Sequence, residues 1–329
     1  MKTTDDFDEL KQQVAIIMYH YVRNLSQSRY PEIKGLDLDL FRKQINYLQN
    51  NFNIISTEDL LQSLDGNAEL PKNSVLLTFD DGYIDQYTNV FPILVEQDIP
   101  AFFSMPGKII AEHKVLDVNK IQFILAGNPI EKLLPKVYDQ LDKYRSKGYN
   151  IPPSKELYRK LAVVDRFDNA DVIFIKRLLQ VELEENLRNI IVDNLFKETI
   201  PLDEAAFANE LYMSYDQVKL MSKHDGITFG IHGYDHYWMN RLTPTELEND
   251  IKKSLDVFDG IIDRKNWICC YPYGSYSDDV IKFVKSLGAV AGFGTDVNIA
   301  SVNEDTRYVL PRLDTNDIPP KSENYKKYL

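Results

Sequence analysis

The sequence predicts an α/β protein with a parallel sheet or barrel and a mostly helical insertion. Apolar runs of strand length alternate with segments whose apolar residues recur at helical spacing, which is the order of strands joined by crossover helices. Several of these runs end in carboxylates or histidines, and the alternation stops between about residues 108 and 213. We therefore predict a parallel sheet or barrel built from residues 1–107 and 214–329, with residues 108–213 inserted into it.

The composition is that of a large, acidic, globular protein. A chain of 329 residues with 44% hydrophobic content can bury a sizeable core, and its net charge of -12 argues against nucleic acid and anionic lipid as partners. No segment is long and apolar enough to span a bilayer, and the first residues lack the apolar run of a signal peptide. If Met1 is the native start, we expect a cytoplasmic protein. The adjacent Cys269 and Cys270 make a poor disulfide pair, which fits a reducing compartment.

The first part of the chain alternates strands with helices, and its first strand ends at a histidine. The buried run at residues 14–18 continues into Tyr19, His20 and Tyr21. By itself, this histidine is more simply explained as a core or rim residue than as a catalytic one. Further strands are predicted at residues 53–55, 74–79 and 99–103, and helices around 41–48, from Thr57 and around 87–94.

The strand at residues 74–79 runs directly into Asp80, Asp81 and Gly82. Consecutive strand side chains point to opposite faces, so the chain must turn for both carboxylates to reach one site, and Gly82 permits that turn. The carboxyl end of a strand is where α/β folds usually keep their chemistry. On these residues alone, a plain turn before the next helix explains the pattern equally well.

The insertion is predicted to be helical because apolar residues recur at helical spacing over residues 133–144 and 183–195. A lid, a substrate-selecting cap and a surface for homo-oligomer formation are all consistent with this pattern, and simple packing is the default interpretation.

The alternation resumes at Ser214, a predicted N-cap, and the next strand delivers two histidines. The strand at residues 227–231 is followed by His232 and His236, whose spacing places two imidazoles on one side of a helical turn. Two imidazoles and one carboxylate commonly hold a divalent metal in an open hydrolytic site. Thr243 and Glu246 form a predicted capping box, and further strands are expected at residues 267–270, 289–293 and 308–310.

These motifs together resemble those of the polysaccharide deacetylase family, the NodB-homology carbohydrate esterases. The resemblance rests on Thr-Phe-Asp-Asp-Gly at residues 78–82, on the His232 and His236 pair, and on Tyr-Pro-Tyr-Gly at residues 271–274. Met-Tyr-His-Tyr at residues 18–21 and Pro-Arg-Leu at 311–313 resemble the branch in which the N-terminal strand supplies a site histidine. The resemblance covers residues 14–106 and 214–315 and implies a distorted (β/α)7 barrel.

The resemblance also implies roles for individual residues. Asp80 corresponds to the general base, and Asp81, His232 and His236 correspond to the metal ligands. The implied metal is zinc, although cobalt or nickel also serve in the family. The implied substrate is an N-acetylated amino sugar or glycan. Tyr273, next to Pro272, would donate its backbone N–H to the negative oxygen that forms during hydrolysis.

The general acid is assigned to His20 by comparison with the family. Many members carry the acid histidine near the C-terminus, but no histidine follows His236 in this chain. His113 lies in the insertion and His224 in a helix, so neither is expected at the site. His20 ends the first strand, and imidazole has a suitable pKa range for a general acid.

One position departs from the family pattern. Members often carry an arginine two residues before the proline, where this chain has Cys270, and that arginine orients the base. Arg312 is our candidate replacement, with a salt bridge at the barrel rim as the alternative interpretation. Trp238 is a candidate for stacking on a sugar, although aromatic packing at a rim is also common.

The sequence therefore favours a metal-dependent N-deacetylase of carbohydrates. Hydrolysis of another linear or cyclic amide, such as a formamide, is the first alternative, because family relatives perform it with the same metal ligands. The second is an inactive carbohydrate-binding barrel, suggested by Cys270, and the third is a scaffold built on the insertion. A cytoplasmic enzyme would meet a sugar precursor more readily than a finished polymer.

Overall fold

The computed structural model describes residues 12–164 and 168–328, which fall into two compact units. The first unit comprises the chain up to Asn24, Gly35–His113, and the chain from Asn209 onward. The second unit comprises Leu25–Lys34 and Lys114–Ala208. The predicted division into a barrel of residues 1–107 and 214–329 and an insertion of residues 108–213 stays a prediction.

The first unit is built on a curled, mainly parallel sheet, as the alternation predicted. The strands are β1 Gln13–Tyr19, β2 Val22–Arg23, β3 Leu36–Asp37, β4 Asn53–Ile54, β5 Ser74–Phe79, β6 Ala101–Met105, β7 Ile227–Ile231, β8 Trp267–Cys270, β9 Ala289–Phe293, β10 Ala300–Ser301 and β11 Leu313–Asp314. Along the hydrogen-bonded row they follow the order β10, β1, β5, β6, β7, β8 and β9, while β4 pairs with β5 and β11 with β1. Pairing is parallel from β1 to β9, and β10 runs antiparallel to β1. Two short strands, β2 and β3, form a separate parallel pair.

The segment at residues 307–314 connects β9 to β1. Leu310 forms a bridge with Phe293 of β9, and β11 pairs with Ile17 and Met18 of β1. The strand predicted at residues 308–310 is therefore wrong in its position: the ladder residues are Leu313–Asp314, and Arg312 precedes them. This segment carries Arg312 into the region between β9 and β1.

Helices flank the sheet strands, and several begin at side-chain caps. Ser56 with Asp59, Ser214 with Gln217, and Thr243 with Glu246 form complete capping boxes. Among the described residues, no helix has both the length and the apolar character needed to cross a membrane. The α-helices are α1 Leu38–Asn51, α2 Thr57–Leu64, α3 Phe91–Glu96, α4 Gly107–Ala111, α5 Asp117–Gly127, α6 Ile130–Ser146, α7 Ser154–Leu161, α8 Ala170–Arg177, α9 Glu185–Thr199, α10 Glu204–Leu211, α11 Tyr215–Met221, α12 Pro244–Val257 and α13 Asp278–Ser286. Single π turns lie at Gln86–Val90 and Leu178–Glu182, and 3-10 turns at Leu25–Gln27, Met239–Arg241, Pro272–Gly274, Thr315–Asp317 and Asn324–Lys327.

The core of the first unit forms on both faces of the central strands. Every residue of β5 and of β6 is buried, because these strands have neighbours on both sides and are covered on both faces. Aromatic rings stack across the strands, with Tyr19 on Phe79 and Phe79 on Phe103, each pair 4.9 Å apart between centroids. Such packing fixes the register of the strands and thus the positions of their ends.

The second unit is helical, as the apolar spacing predicted. Phe123, Phe196 and Phe207 meet edge to face in its core. The side chain of Lys120 is nearly buried there, 2.6 Å from Asp193 and 2.9 Å from Glu204 between charged atoms. A buried ammonium needs such partners, so these contacts have a structural explanation.

Candidate active site

Parallel pairing brings the predicted chemical residues to one edge of the sheet. Tyr19 is in register with Phe79, and the Asp80 N–H donates to the Tyr19 carbonyl, so His20 and Asp80 follow adjacent strand ends. The His232 N–H donates to the Met105 carbonyl at the ends of β6 and β7. Because all these strands run the same way, their carboxyl ends meet along one edge.

Asp80 is completely buried and paired with Arg312. The two guanidinium nitrogens donate to the two carboxylate oxygens, Nη1 to Oδ1 at 3.0 Å and Nη2 to Oδ2 at 2.7 Å. Arg312 also donates to Thr78 Oγ1 and to the Gly294 carbonyl, and Ser104 Oγ donates to Asp80 Oδ1 at 2.7 Å. Burial by itself would raise the pKa of the Asp80 carboxyl, but the charge and hydrogen bonds of Arg312 hold it well below its usual range. Asp80 is therefore ionised at neutral pH.

Asp81, His232 and His236 converge on one point. Asp81 Oδ1 lies 3.5 Å from Nε2 of His232 and 3.5 Å from Nε2 of His236. Within the described part of the chain, this buried oxygen has no hydrogen-bond partner. His232 Nδ1 lies 2.7 Å from the Cys270 carbonyl oxygen, which directs its Nε2 toward Asp81. Burial and the neighbouring His232 lower the pKa of His236 to about 4, so its imidazole is neutral at neutral pH.

These residues fit a divalent cation. The three donor atoms lie within 4.8 Å of one another, and all three side chains are buried. Neutral imidazoles and one carboxylate oxygen without another partner are the donor set of open catalytic zinc sites. Asp81, His232 and His236 would hold such an ion.

The two histidines lie on a loop, and the helical turn inferred from their spacing is wrong. His236 has a φ of +56°, which a helical turn does not allow, and no helix spans residues 232–236. Asp250 of α12, itself buried, holds this loop, because its carboxylate accepts the backbone N–H of Tyr234 at 2.9 Å and that of Asp235 at 3.2 Å. The two imidazoles do lie close together, but a loop places them there and not a helical turn.

The Asp-Asp turn likewise takes a left-handed path. Asp81 has a φ of +72° and Gly82 a φ of +68°, so the aspartate itself adopts the conformation that Gly82 alone was expected to supply. This reversal directs Asp80 toward Arg312 and Asp81 toward the histidines.

His20 faces Asp80 at the end of β1. Its Nε2 lies 4.0 Å from Asp80 Oδ2, which is beyond hydrogen-bond reach, and the side chain is 36% exposed. Gln86 donates to the Asp80 carbonyl at 2.5 Å and reaches the His20 carbonyl at 3.5 Å, which links the two strand ends. His20 is therefore open to solvent and adjacent to the buried carboxylate.

The Tyr273 loop borders the histidines. Tyr273 has a φ of +58°, and its ring meets that of His236 edge to face at 4.5 Å between centroids. Pro272, which is buried, begins this 3-10 turn. Trp238 stacks on Tyr273 at 4.5 Å with an interplanar angle of 8°, and the Arg241 guanidinium lies 5.2 Å from the Trp238 ring centroid. Trp238 is thus packed against two side chains and supports Tyr273, and its predicted stacking on a sugar stays a prediction.

The remaining candidates lie as follows. Cys270 is buried, and its Sγ lies 3.4 Å from Asp80 Oδ1, so it occupies the space beside the carboxylate without supplying a charge. Burial raises the pKa of its thiol, which keeps the thiol protonated. His113 and His224 are exposed, and neither is among the residues that meet at this edge.

Sequence reasoning missed several residues that hold the site in place. Asp250 could have been noticed, because a carboxylate within the apolar stripe of α12 is unusual. The other missed residues have no such feature in the sequence, because a serine or glutamine in a strand or helix can have many roles. The missed residues are Thr78, Ser104, Gln86, Tyr83, Asp250 and Lys108, whose Nζ lies 2.6 Å from Asp235.

Comparison with known proteins also indicates a polysaccharide deacetylase. The family model described as polysaccharide deacetylase matches residues 67–151 and 191–292, which is more than half of the chain. The chain is 28% identical over 117 residues to YxkH of Bacillus subtilis (strain 168), an alignment that covers 36% of this chain and 41% of YxkH. It is 33% identical over 95 residues to the poly-beta-1,6-N-acetyl-D-glucosamine N-deacetylase of Escherichia coli (strain K12), covering 29% of this chain and 14% of that enzyme. The chain thus spans less than half the length of these relatives.

The fold is also similar to that of solved deacetylase structures. The deacetylase PplD of Streptococcus pyogenes, solved in complex with acetate, superposes with a TM-score of 0.57 at 17% identity, covering 96% of this chain and 97% of PplD. This likeness supports the predicted NodB-type barrel. Together with the family match over more than half of its length, it shows that the chain belongs to the polysaccharide deacetylase family.

Proposed function

We propose that this protein is a metal-dependent hydrolase that removes the N-acetyl group from an amino sugar or glycan. The observation that carries the proposal is the convergence of Asp81, His232 and His236 beside an ionised Asp80. The family membership supports the reaction class, and the E. coli relative is named for an N-acetylglucosamine polymer. Because that alignment covers a small part of the relative, the sugar itself is part of the proposal.

Asp81, His232 and His236 would bind the cation, for which zinc is our first choice. Such an ion polarises an amide carbonyl and makes a water molecule more acidic. Asp81 Oδ1 has no hydrogen-bond partner in the described part of the chain, and His236 is neutral, so binding displaces neither a hydrogen bond nor a proton from these two groups.

Asp80 acts as the general base through Oδ2. Oδ1 already accepts from Ser104 and Arg312, whereas Oδ2 accepts only from Arg312 among the residues that the structure describes, and it faces His20. The ionised carboxylate takes the proton of the attacking water, and Arg312 keeps it ionised and correctly oriented.

His20 donates a proton to the departing amine. Its side chain is 36% exposed and its Nε2 lies 4.0 Å from Asp80 Oδ2, so an amine that leaves beside Asp80 can reach it. Tyr273 is assigned the N–H that stabilises the negative carbonyl oxygen, and its ring already contacts His236. Trp238 supports that loop.

The hypothesis of an inactive carbohydrate-binding barrel no longer has an observation in its favour. It was considered because Cys270 replaces the arginine that orients the base, but Arg312 makes a paired contact with both oxygens of Asp80. Asp80 is therefore oriented by an arginine from the segment that precedes β11.

The test compares the protein with its Asp80→Asn variant. Purified without chelators, the wild type should contain about one equivalent of divalent metal and release acetate from N-acetylated amino sugars, and Asp80→Asn should lose about 10²-fold or more of that rate. The control is Asp256→Asn, the same substitution at an exposed residue of α12, which should retain full activity. Release of formate or ring opening in place of acetate would assign the chain to another amide, and unchanged turnover in Asp80→Asn would refute the mechanism.

A further inference from the structure

Tyr83 contacts the second oxygen of Asp81. The phenol is completely buried, and its hydroxyl donates to Asp81 Oδ2 at 2.5 Å. The other oxygen, Oδ1, faces both histidines and has no hydrogen-bond partner among the described residues. The two oxygens of one carboxylate are therefore in different environments, and only one of them is open.

Asp81 needs external support to keep this orientation. Its φ of +72° lies in the left-handed region, which residues with a side chain adopt less readily than glycine. A short hydrogen bond from a rigid neighbour can hold the carboxylate in place in that conformation.

The Tyr83 ring is itself held by aromatic neighbours. It stacks on Tyr21 at 3.8 Å between centroids with an interplanar angle of 20°, and on Tyr212 at 6.1 Å with an angle of 13°. Tyr83 and Tyr212 also pair through their backbones, and the Met213 N–H donates to the Gly82 carbonyl. The phenol is thus fixed on both sides, and its hydroxyl cannot swing away from Asp81 without disrupting this packing.

We propose that Tyr83 is a positioning residue that occupies Asp81 Oδ2, so that Asp81 binds the cation through Oδ1 alone. This inference rests on the proposed function, because it concerns the same metal ligands. If Asp81 binds through one oxygen, the cation has three protein donor atoms, and its further coordination positions stay open for water and substrate. Hydrogen bonds to metal ligands typically change metal affinity by 10–100-fold, and we expect an effect of about that size here.

The test measures zinc affinity of the apo-protein by competition with a chromophoric chelator. Tyr83→Phe removes the hydroxyl and keeps the ring, and it should weaken zinc binding about 10–100-fold. The control is Tyr19→Phe, which removes a fully buried hydroxyl without a hydrogen-bond partner in residues 12–164 and 168–328, and it should leave the affinity unchanged. Thermal unfolding of the metal-free variants separates loss of fold from loss of affinity.

Two outcomes would overturn the inference in distinguishable ways. If the wild type binds zinc and Tyr83→Phe binds it equally well, the role of Tyr83 is wrong while the proposed metal site stands. If the wild type binds no divalent cation, both proposals fail. Should Tyr83→Phe not fold, a crystal structure of the zinc-loaded wild type decides: Asp81 bound through Oδ1 with Tyr83 on Oδ2 supports the inference, and Asp81 bound through both oxygens refutes it.

Discussion

Replacement of Arg312 by methionine tests how the site keeps its carboxylate charged. The Arg312 side chain is 0% exposed and that of Asp80 1%, so the pair is shielded from solvent. Methionine fills a similar volume but removes the charge and the donors to Asp80, Thr78 and Gly294. A buried carboxylate is then left without its counter-ion.

The expected losses are large in both stability and activity. Removing one partner of a buried ion pair costs about 3–5 kcal/mol of unfolding free energy, because the other charge stays desolvated. Without Arg312, burial raises the pKa of Asp80 above its ordinary value, so the base becomes protonated at a higher pH. The wild type keeps Asp80 ionised through the neutral range, and the acid limb of kcat/KM should therefore shift to higher pH in Arg312→Met. Urea denaturation and a pH profile of acetate release measure the two effects.

A second arginine provides the matched control. Arg264 also pairs with two carboxylates, those of Asp256 and Asp259, but its side chain is 45% exposed, so Arg264→Met should cost at most about 1 kcal/mol. If Arg312→Met loses no more stability than Arg264→Met and keeps its pH profile, the reasoning is refuted. Cys270→Arg combined with Arg312→Ala should recover activity relative to Arg312→Ala alone, because position 270 lies beside the same carboxylate.

Two further predictions concern His20 and Asp250. His20→Gln should reduce release of an amine strongly but spare hydrolysis of an acetate ester with an acidic phenol leaving group, which needs no proton donor; equal losses on both substrates would contradict the acid role. Burial raises the pKa of Asp250 to about 6, whereas an unfolded aspartate has a pKa of about 3.9. Between these two pH values the Asp250 carboxyl is therefore protonated in the folded protein and ionised in the unfolded chain. The stability of the wild type relative to Asp250→Asn should therefore fall as pH rises from about 4 to about 6, by up to about 3 kcal/mol in urea denaturation. A pH-independent difference would show that Asp250 does not titrate there.

Local sequence patterns predicted most of the elements that place the site. The strands at residues 227–231, 267–270 and 289–293 have the predicted bounds, and the capping boxes at Ser214 and Thr243 begin the expected helices. These features depend on side-chain periodicity and on hydrogen bonds over a few residues, and both are visible in the sequence. The strand predicted at 308–310 failed because Leu310 makes a single bridge, and the longer pairing depends on distant β1.

What the sequence determined by itself is the set of chemical groups at the strand ends: Asp80 and Asp81, the histidine pair, and His20. Tertiary structure alone decided how these groups are held. Arg312 reaches Asp80 across 232 residues. Tyr83 supports the turn at Asp81, and Asp250 supports the loop that carries His232 and His236. The physical reason is that a buried carboxylate takes its charge state and direction from the groups around it in space. Periodicity and residue spacing along the chain do not specify those neighbours.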